Sequence, residues 1–123
     1  MEPAFGGVTL VSDTIPLSTL HKLATEGFGD LVKAVVDVQR RVLAVGGDLH
    51  SDGEAALLDS GSRQADVWGI NLYPEQYGGD GWIEYDSLIN IRPSQRNRSR
   101  TVEDPEVRKL VVDIVGHLVA PDV

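Results

Sequence analysis

The sequence predicts an α+β domain of two layers, in which an antiparallel β-meander sheet carries an N-terminal helix and a C-terminal amphipathic helix on one face. Three observations support this prediction. Apolar and polar residues alternate through the middle of the chain, residues 107–119 repeat apolar residues at helical spacing, and a shorter helical pattern follows the first apolar run. With 123 residues, of which 41% are hydrophobic, the chain fits one domain over residues 1–123.

The N-terminal part of the domain is predicted to be a strand followed by a helix. Residues 8–15 form the apolar run "VTLVSDTI", and Pro16 suits the first turn of a helix. Apolar residues then follow at helical spacing, namely Leu17, Leu20, Leu23 and Ala24. Gly27 and Gly29 are expected to end this helix.

Residues 31–49 are predicted to be two strands of a hairpin rather than one helix. They are rich in β-branched residues, and Val32, Ala34, Val36 and Val38 fall on one side. The polar triplet at 39–41 supplies the turn, although it lacks the Asn-Gly or Asp-Gly signature. A single helix here would separate the side chains that the strand interpretation places on one surface.

Three further strands are expected at residues 54–59, 66–74 and 82–93. Turn-forming residues separate the first two, and the glycine-rich loop 73–81 precedes the third. The third alternates apolar and polar residues until Pro93, which cannot donate to a sheet.

The last element is predicted to be an amphipathic helix. Asp104 can cap its N-terminus, Pro105 suits the first helical position, and Glu106 complements the helix dipole. A wide apolar stripe follows and has to be covered by the sheet; it comprises Val107, Leu110, Val111, Ile114, Val115, Leu118 and Val119.

Composition narrows the functional classes. The sequence contains no cysteine, which excludes disulfides and thiolate zinc sites and suits a cytoplasmic protein. We identify no signal peptide and no apolar run long enough for a membrane span. The net charge of −8 makes nucleic acid and anionic membranes improbable as partners.

The segment "GGDLHSDGE" at residues 46–54 is the first candidate for chemistry. Asp48, His50 and Asp52 are weak metal-ligand candidates, because alternate residues of a strand point to one side but do not converge. The same histidine with neighbouring carboxylates could serve a metal-assisted hydrolase as a general base. The interpretation that we favour is structural: a bulge and a turn, with Leu49 inward and Asp48 and His50 facing water. No cofactor is predicted.

A ligand site, if one exists, is expected on the polar face of the sheet and at its edge. The candidates are the polar and aromatic residues of the predicted strands: Asp48, His50, Trp68, Asn71, Glu84, Asn90 and Arg92.

A basic strap, residues 96–100, is the second candidate site. Its side chains Arg96, Asn97, Arg98 and Arg100 could bind an anion, because guanidinium groups recognise phosphate and carboxylate in a bidentate manner. Alternatively, the arginines pair with acids of the same chain and fix the connection to the last helix.

Several long motifs resemble a small prokaryotic single-domain family of unknown function: "VKAVVDV", "GGDLHSDGE", "WGINLYP" and "DSLINIRPSQRNRSR". The resemblance is strongest over residues 31–119, and it implies no activity. The sequence therefore predicts a small acidic binding or protein-interaction module for a small anionic ligand or a protein partner, and leaves a homodimer open. The alternatives are the hydrolase centred on His50 and an anion or nucleic-acid binder that uses the strap.

Overall fold

The structure, a computed structural model, describes residues 7–122 and contains one five-stranded antiparallel sheet, a two-stranded parallel sheet and three α-helices within that range. In chain order the elements are β1 (Val8–Val11), β2 (Ile15–Pro16), α1 (Leu17–Glu26), β3 (Val32–Asp37), β4 (Val42–Gly46), α2 (His50–Asp59), β5 (Val67–Leu72), β6 (Ile83–Glu84), α3 (Pro105–Leu118) and β7 (Val119–Ala120). Single turns of 3₁₀ helix precede β5 and occupy 74–76, 88–90 and 93–95.

The large sheet has the strand order β1-β4-β3-β5-β6, and β2 pairs with β7 separately. The predicted hairpin at 31–49 is confirmed as β3 and β4. Its turn is fixed by Asp37, whose buried carboxylate accepts the backbone N–H groups of Gln39 and Arg40 at 2.8 and 2.9 Å. This side-chain bonding replaces the missing Asn-Gly signature. Strand β5 lies on the other side of β3, so α2 connects β4 to β5 across the sheet.

The predicted α+β class is confirmed, with α1 and α3 on the same face of the sheet. Alternate residues of β3 divide between two cores. Ala34 and Val36 pack with α1 and α3, whereas Val35 packs with Ala56 and Leu57 of α2 on the opposite face. The predicted cap of the last helix is also confirmed, because the Asp104 carboxylate accepts the Glu106 N–H at 2.9 Å.

The predicted strand at 54–59 is wrong, and so is the orientation given to the residues before it. Residues 50–59 form α2, which adds a third layer over the second face of the sheet. "EAALL" consists of strong helix formers, whose propensity outweighs the short strand-like pattern. Helix formation turns His50 inward and leaves Leu49 58% exposed, the reverse of the expectation.

The predicted strand at 82–93 is also wrong beyond its first residues. Only Ile83 and Glu84 pair with β5, opposite Leu72 and Asn71. The chain then leaves the ladder and returns as a 3₁₀ turn at 88–90, which packs on β5 at Gly69. The first predicted strand, 8–15, divides similarly into β1 and the separate β2.

Candidate anion-binding site

A pocket of about 320 Å³ opens where the N-terminus of α2 meets the 3₁₀ turn at 88–90. It lies on the α2 side of the sheet, near the edge formed by β5 and β6. The residues that line it combine cationic, hydroxyl and apolar side chains: Lys33, Leu49, His50, Ser51, Ser87, Leu88, Ile89 and Arg100. We call this cavity the α2 pocket.

His50, the first residue of α2, is only 8% exposed. Its Nε2 lies 2.8 Å from the Ile70 carbonyl oxygen. A carbonyl can only accept, so Nε2 carries the proton, and in the neutral ring Nδ1 keeps a lone pair. Burial lowers the pKa of His50 below 6.5, although the hydrogen bond with the Ile70 carbonyl and the nearby Asn71 amide act in the opposite direction. The ring is therefore neutral at pH 7.

Asn71 and Glu84 lie near this histidine and are paired with each other on the neighbouring strands β5 and β6. Asn71 Nδ2 donates to Glu84 Oε1 at 2.8 Å, and the Tyr73 hydroxyl donates to the same carboxylate oxygen at 3.0 Å. The carboxylate fixes the amide orientation, because it accepts only from the NH₂ group. Asn71 Oδ1 therefore points the other way, where it is buried and has no hydrogen-bond partner among residues 7–122.

Two cationic side chains line the pocket. Lys33 Nζ lies 5.2 Å from the centre of the Phe28 ring, and within residues 7–122 it forms no salt bridge. Arg100 Nε contacts Asp86 Oδ1 at 2.6 Å, and both side chains remain about half exposed. The terminal guanidinium nitrogens of Arg100 make no hydrogen bond to the described part of the chain. Two cationic side chains from separate parts of the chain thus border the α2 pocket, and Lys33 also borders the depression that contains Phe28.

The first turn of α2 adds backbone donors. Its N-cap residue is Leu49, whose side chain cannot accept a hydrogen bond. Asp52 Oδ2 accepts the Leu49 N–H at 3.3 Å, and the Asp52 N–H bonds to the Leu49 carbonyl. The N–H groups of His50 and Ser51 have no partner in residues 7–122. Uncapped N–H groups and the positive end of the helix dipole favour an anion at this position.

The other predicted site residues lie elsewhere. Asp48 is exposed and borders a separate depression beside Gly7 and Phe28. Trp68 and Arg92 lie together at the beginning of β5, with the guanidinium carbon 4.0 Å from a Trp68 ring centre. Arg92 also donates to the carbonyls of Gln64 and Val67, so it holds the start of β5 in place.

Asn90 and Asn97 are enclosed within the chain. Asn90 bonds to the backbone of Gly69. Asn97 Nδ2 donates to the carbonyls of Asn90, Ser99 and Thr101, and its Oδ1 accepts the Glu103 N–H at 2.8 Å. Asn97 therefore organises the basic strap from inside and does not present its amide to a ligand.

The arginines of the strap do not act together. Arg100 faces the α2 pocket and pairs with Asp86, whereas the exposed side chains of Arg96 and Arg98 make no salt bridge to residues 7–122. The alternative in which all three pair with acids of the chain thus describes Arg100 alone.

The three weak metal candidates are not assembled into a metal site. Asp52 caps the start of α2, His50 bonds to Ile70 in the interior, and Asp48 is exposed. Across residues 7–122, no three His, Cys, Asp or Glu side chains are close enough to hold a metal ion.

Sequence reasoning missed most of the pocket lining. Lys33 alternates with the apolar residues Val32 and Ala34 of β3, and this alternation is the signal that could have found it. The two serines and Leu88 carry no pattern of their own, because their position depends on α2 and on the irregular segment after β6.

Comparison with known proteins gives a family and no activity. The sequence model of a family described as "protein of unknown function (DUF5674)" matches residues 9–118, which confirms the resemblance. No curated protein and no solved structure matches the chain. None of the helices in residues 7–122 is long and apolar enough to cross a membrane.

Proposed function

Because the chain belongs to DUF5674, a family of unknown function, we propose from its geometry that it is a binding protein whose α2 pocket holds a small anion. One observation carries the proposal: Lys33, Arg100 and the uncapped start of α2 border the same cavity. The buried ring of His50 forms part of the wall.

The charge of the whole chain makes this arrangement informative. A net charge of −8 repels anions from most of the surface. An anion is attracted only where cations and N–H donors are concentrated, and the α2 pocket is such a place. Asp86 neutralises part of the positive charge of Arg100. The remaining positive potential therefore comes mainly from Lys33 and the N-terminus of α2.

The ligand expected here is small. Lysine and arginine provide charge, Ser51 and Ser87 provide hydroxyl groups, and the two backbone N–H groups provide direction. Such a set suits a carboxylate or an oxyanion of similar size. The hydrolase alternative is not proposed, because no cluster in residues 7–122 supports its metal.

The proposal is tested by titrating the protein with sulfate, whose charge is constant near neutral pH, and following backbone amide shifts by NMR. We expect perturbations at His50 and Ser51 first, because their N–H groups are free. Lys33→Gln and Arg100→Gln should each weaken binding about tenfold, as expected for loss of a charged hydrogen bond.

Lys109→Gln is the matched control. Lys109 lies on α3, three-quarters exposed and paired with Glu106. Its removal should leave sulfate binding unchanged. Absence of localised shifts at roughly 50 mM sulfate, far above a millimolar dissociation constant, would overturn the proposal, and so would an equal loss in the control. A cytoplasmic location in a prokaryotic cell, a protein partner and a homodimer remain predictions from the sequence.

A further inference from the structure

We infer that the ligand of the α2 pocket is an amphiphilic organic anion, with its charged head at Lys33 and Arg100 and a short apolar chain against Leu49 and Leu88. This inference rests on the proposed function and narrows it from any small anion to one chemical class.

The two leucines are the most exposed large apolar residues that the structure describes. Leu49 is 58% exposed and Leu88 is 67% exposed, and both line the α2 pocket. Single exposed leucines are ordinary. Two exposed leucines that line one cavity together with two cations form a surface with both apolar and positively charged parts, and such a surface is complementary to an amphiphilic anion.

Leu49 occupies a position where the fold gains little from a leucine. It is the N-cap of α2, where Ser, Thr, Asp or Asn would satisfy a free N–H. Leucine neither caps the helix nor buries most of its own surface. It does leave the N–H group of Ser51 open and places an apolar side chain next to it. Both consequences serve a ligand with a charged end and an apolar end.

The backbone around Leu88 is held in place by hydrogen bonds within the chain. Leu88 begins the 3₁₀ turn at 88–90, whose start is fixed by the Ile89 N–H bonding to Ser87 Oγ at 3.3 Å. The end of the turn is fixed by Asn90 on Gly69. Half-buried Ile89 lies between the fixed ends and completes the apolar wall. Because the backbone of this wall is already ordered, the binding of an apolar chain costs little conformational entropy here.

The experiment measures the affinity of the full chain for a series of straight-chain carboxylates from acetate to octanoate by calorimetry, with sulfate as the purely ionic probe. Each added methylene that the pocket buries should tighten binding about fourfold, which corresponds to ~0.8 kcal/mol per CH₂. The gain should stop when the chain outgrows the cavity.

Two variants distinguish the binding of the ligand's charged head from the binding of its apolar chain. Leu88→Ala should flatten the dependence on chain length, because it should weaken octanoate far more than it weakens acetate or sulfate. Leu49→Ser should create an N-cap, so it should raise the urea midpoint of unfolding and weaken the binding of sulfate and acetate. It should weaken the longer carboxylates further, because their apolar contact with Leu49 is also lost. The matched control is Leu10→Ala, since Leu10 is a 48%-exposed leucine on β1 at the opposite edge of the sheet.

The experiment distinguishes failure of the proposed anion site from failure of the inference that its ligand has an apolar chain. If sulfate and acetate bind but hexanoate binds no more tightly than acetate, the inference of an apolar chain is overturned and the anion site stands. If neither sulfate nor any carboxylate binds, the proposed function itself fails. An equal loss of the chain-length gain in Leu10→Ala would also overturn the inference, because it would indicate non-specific apolar association.

Discussion

The side-chain amide of Asn90 makes with Gly69 the two hydrogen bonds that a neighbouring strand would make. The Gly69 N–H donates to Asn90 Oδ1 at 2.8 Å, and Asn90 Nδ2 donates back to the Gly69 carbonyl at 3.0 Å. Strand β6 covers only the last two residues of β5, so the amide extends the ladder where β6 has already left. A Cβ at Gly69 would lie 2.6 Å from the Ser87 side chain, so the contact also requires glycine there.

Replacing Asn90 by alanine is therefore expected to destabilise the fold by about 2–4 kcal/mol, because two buried backbone groups lose their partners. Urea unfolding monitored by circular dichroism measures the loss. Gln39→Ala, at an exposed turn position, is the control and should change stability by less than about 0.5 kcal/mol. A small effect of Asn90→Ala would mean that residues 87–90 are not anchored to β5.

Two helical glycines should respond to alanine in opposite ways. A Cβ at Gly53 of α2 would lie 2.9 Å from Val35 Cγ2 and 3.4 Å from Ala44 Cβ, in the buried contact between helix and sheet. We expect Gly53→Ala to lower the free energy of unfolding by about 1–3 kcal/mol. At Gly116 of α3 a Cβ would meet nothing within 4 Å.

Gly116→Ala should accordingly raise the free energy of unfolding by about 0.5–1 kcal/mol, the cost that glycine imposes on a helix interior. Each variant serves as the control for the other, and thermal unfolding measures both. Stabilisation by Gly53→Ala would contradict the close approach of α2 to the sheet.

The fold was predictable where one pattern extended over a whole element. The β3–β4 hairpin and α3 have long regular periods and recognisable ends, and both are confirmed. Helix α2 is short, and its apolar residues fit either a strand or a helix. Its residues have high helix propensity, and the burial of Ala56 and Leu57 against Val35 and Ala44 adds a tertiary contact that the sequence pattern does not show.

The candidate site was only partly predictable for the same reason. His50, Asn71 and Glu84, three of the seven candidates, lie close together in the structure, although the prediction placed His50 on a strand. In the structure His50 reaches this surface because it begins α2. Lys33 lies beside it because Lys33 on β3 is paired with Asn71 on β5. Arg100 reaches the pocket through an irregular connection, whose path follows from the hydrogen bonds of Asn97.

Asn97→Ala should consequently disrupt the strap. Its amide makes four hydrogen bonds to backbone groups of Asn90, Ser99, Thr101 and Glu103. We expect a loss of about 2–4 kcal/mol in urea unfolding and weaker anion binding at Arg100. Arg98→Ala removes a neighbouring exposed side chain and should change stability by less than about 0.5 kcal/mol. The reverse ranking of the two variants would identify the arginines as the structural element.

The buried His50 should make stability depend on pH. Burial is the main cause that lowers its pKa in the folded state, and Lys33 acts in the same direction. The hydrogen bond with Ile70, the nearby Asn71 amide and the charge of Asp86 oppose this shift without cancelling it. Below pH 6.5 the unfolded chain therefore binds a proton that the folded chain resists. The stability contributed by the neutral ring is complete above 6.5 and is lost as the pH falls through the folded pKa.

His50→Gln removes this titration and keeps an amide that can donate to Ile70. The difference in the free energy of unfolding between the natural protein and the variant should be constant above pH 6.5 and move in favour of the variant below it. Urea unfolding over that pH range measures the difference, with His21→Gln, at an exposed position of α1, as the control. Sulfate should move the His50 inflection in NMR to higher pH, because a bound anion favours the protonated ring. A difference that is independent of pH, or an inflection above 6.5 without sulfate, would contradict the neutral buried ring.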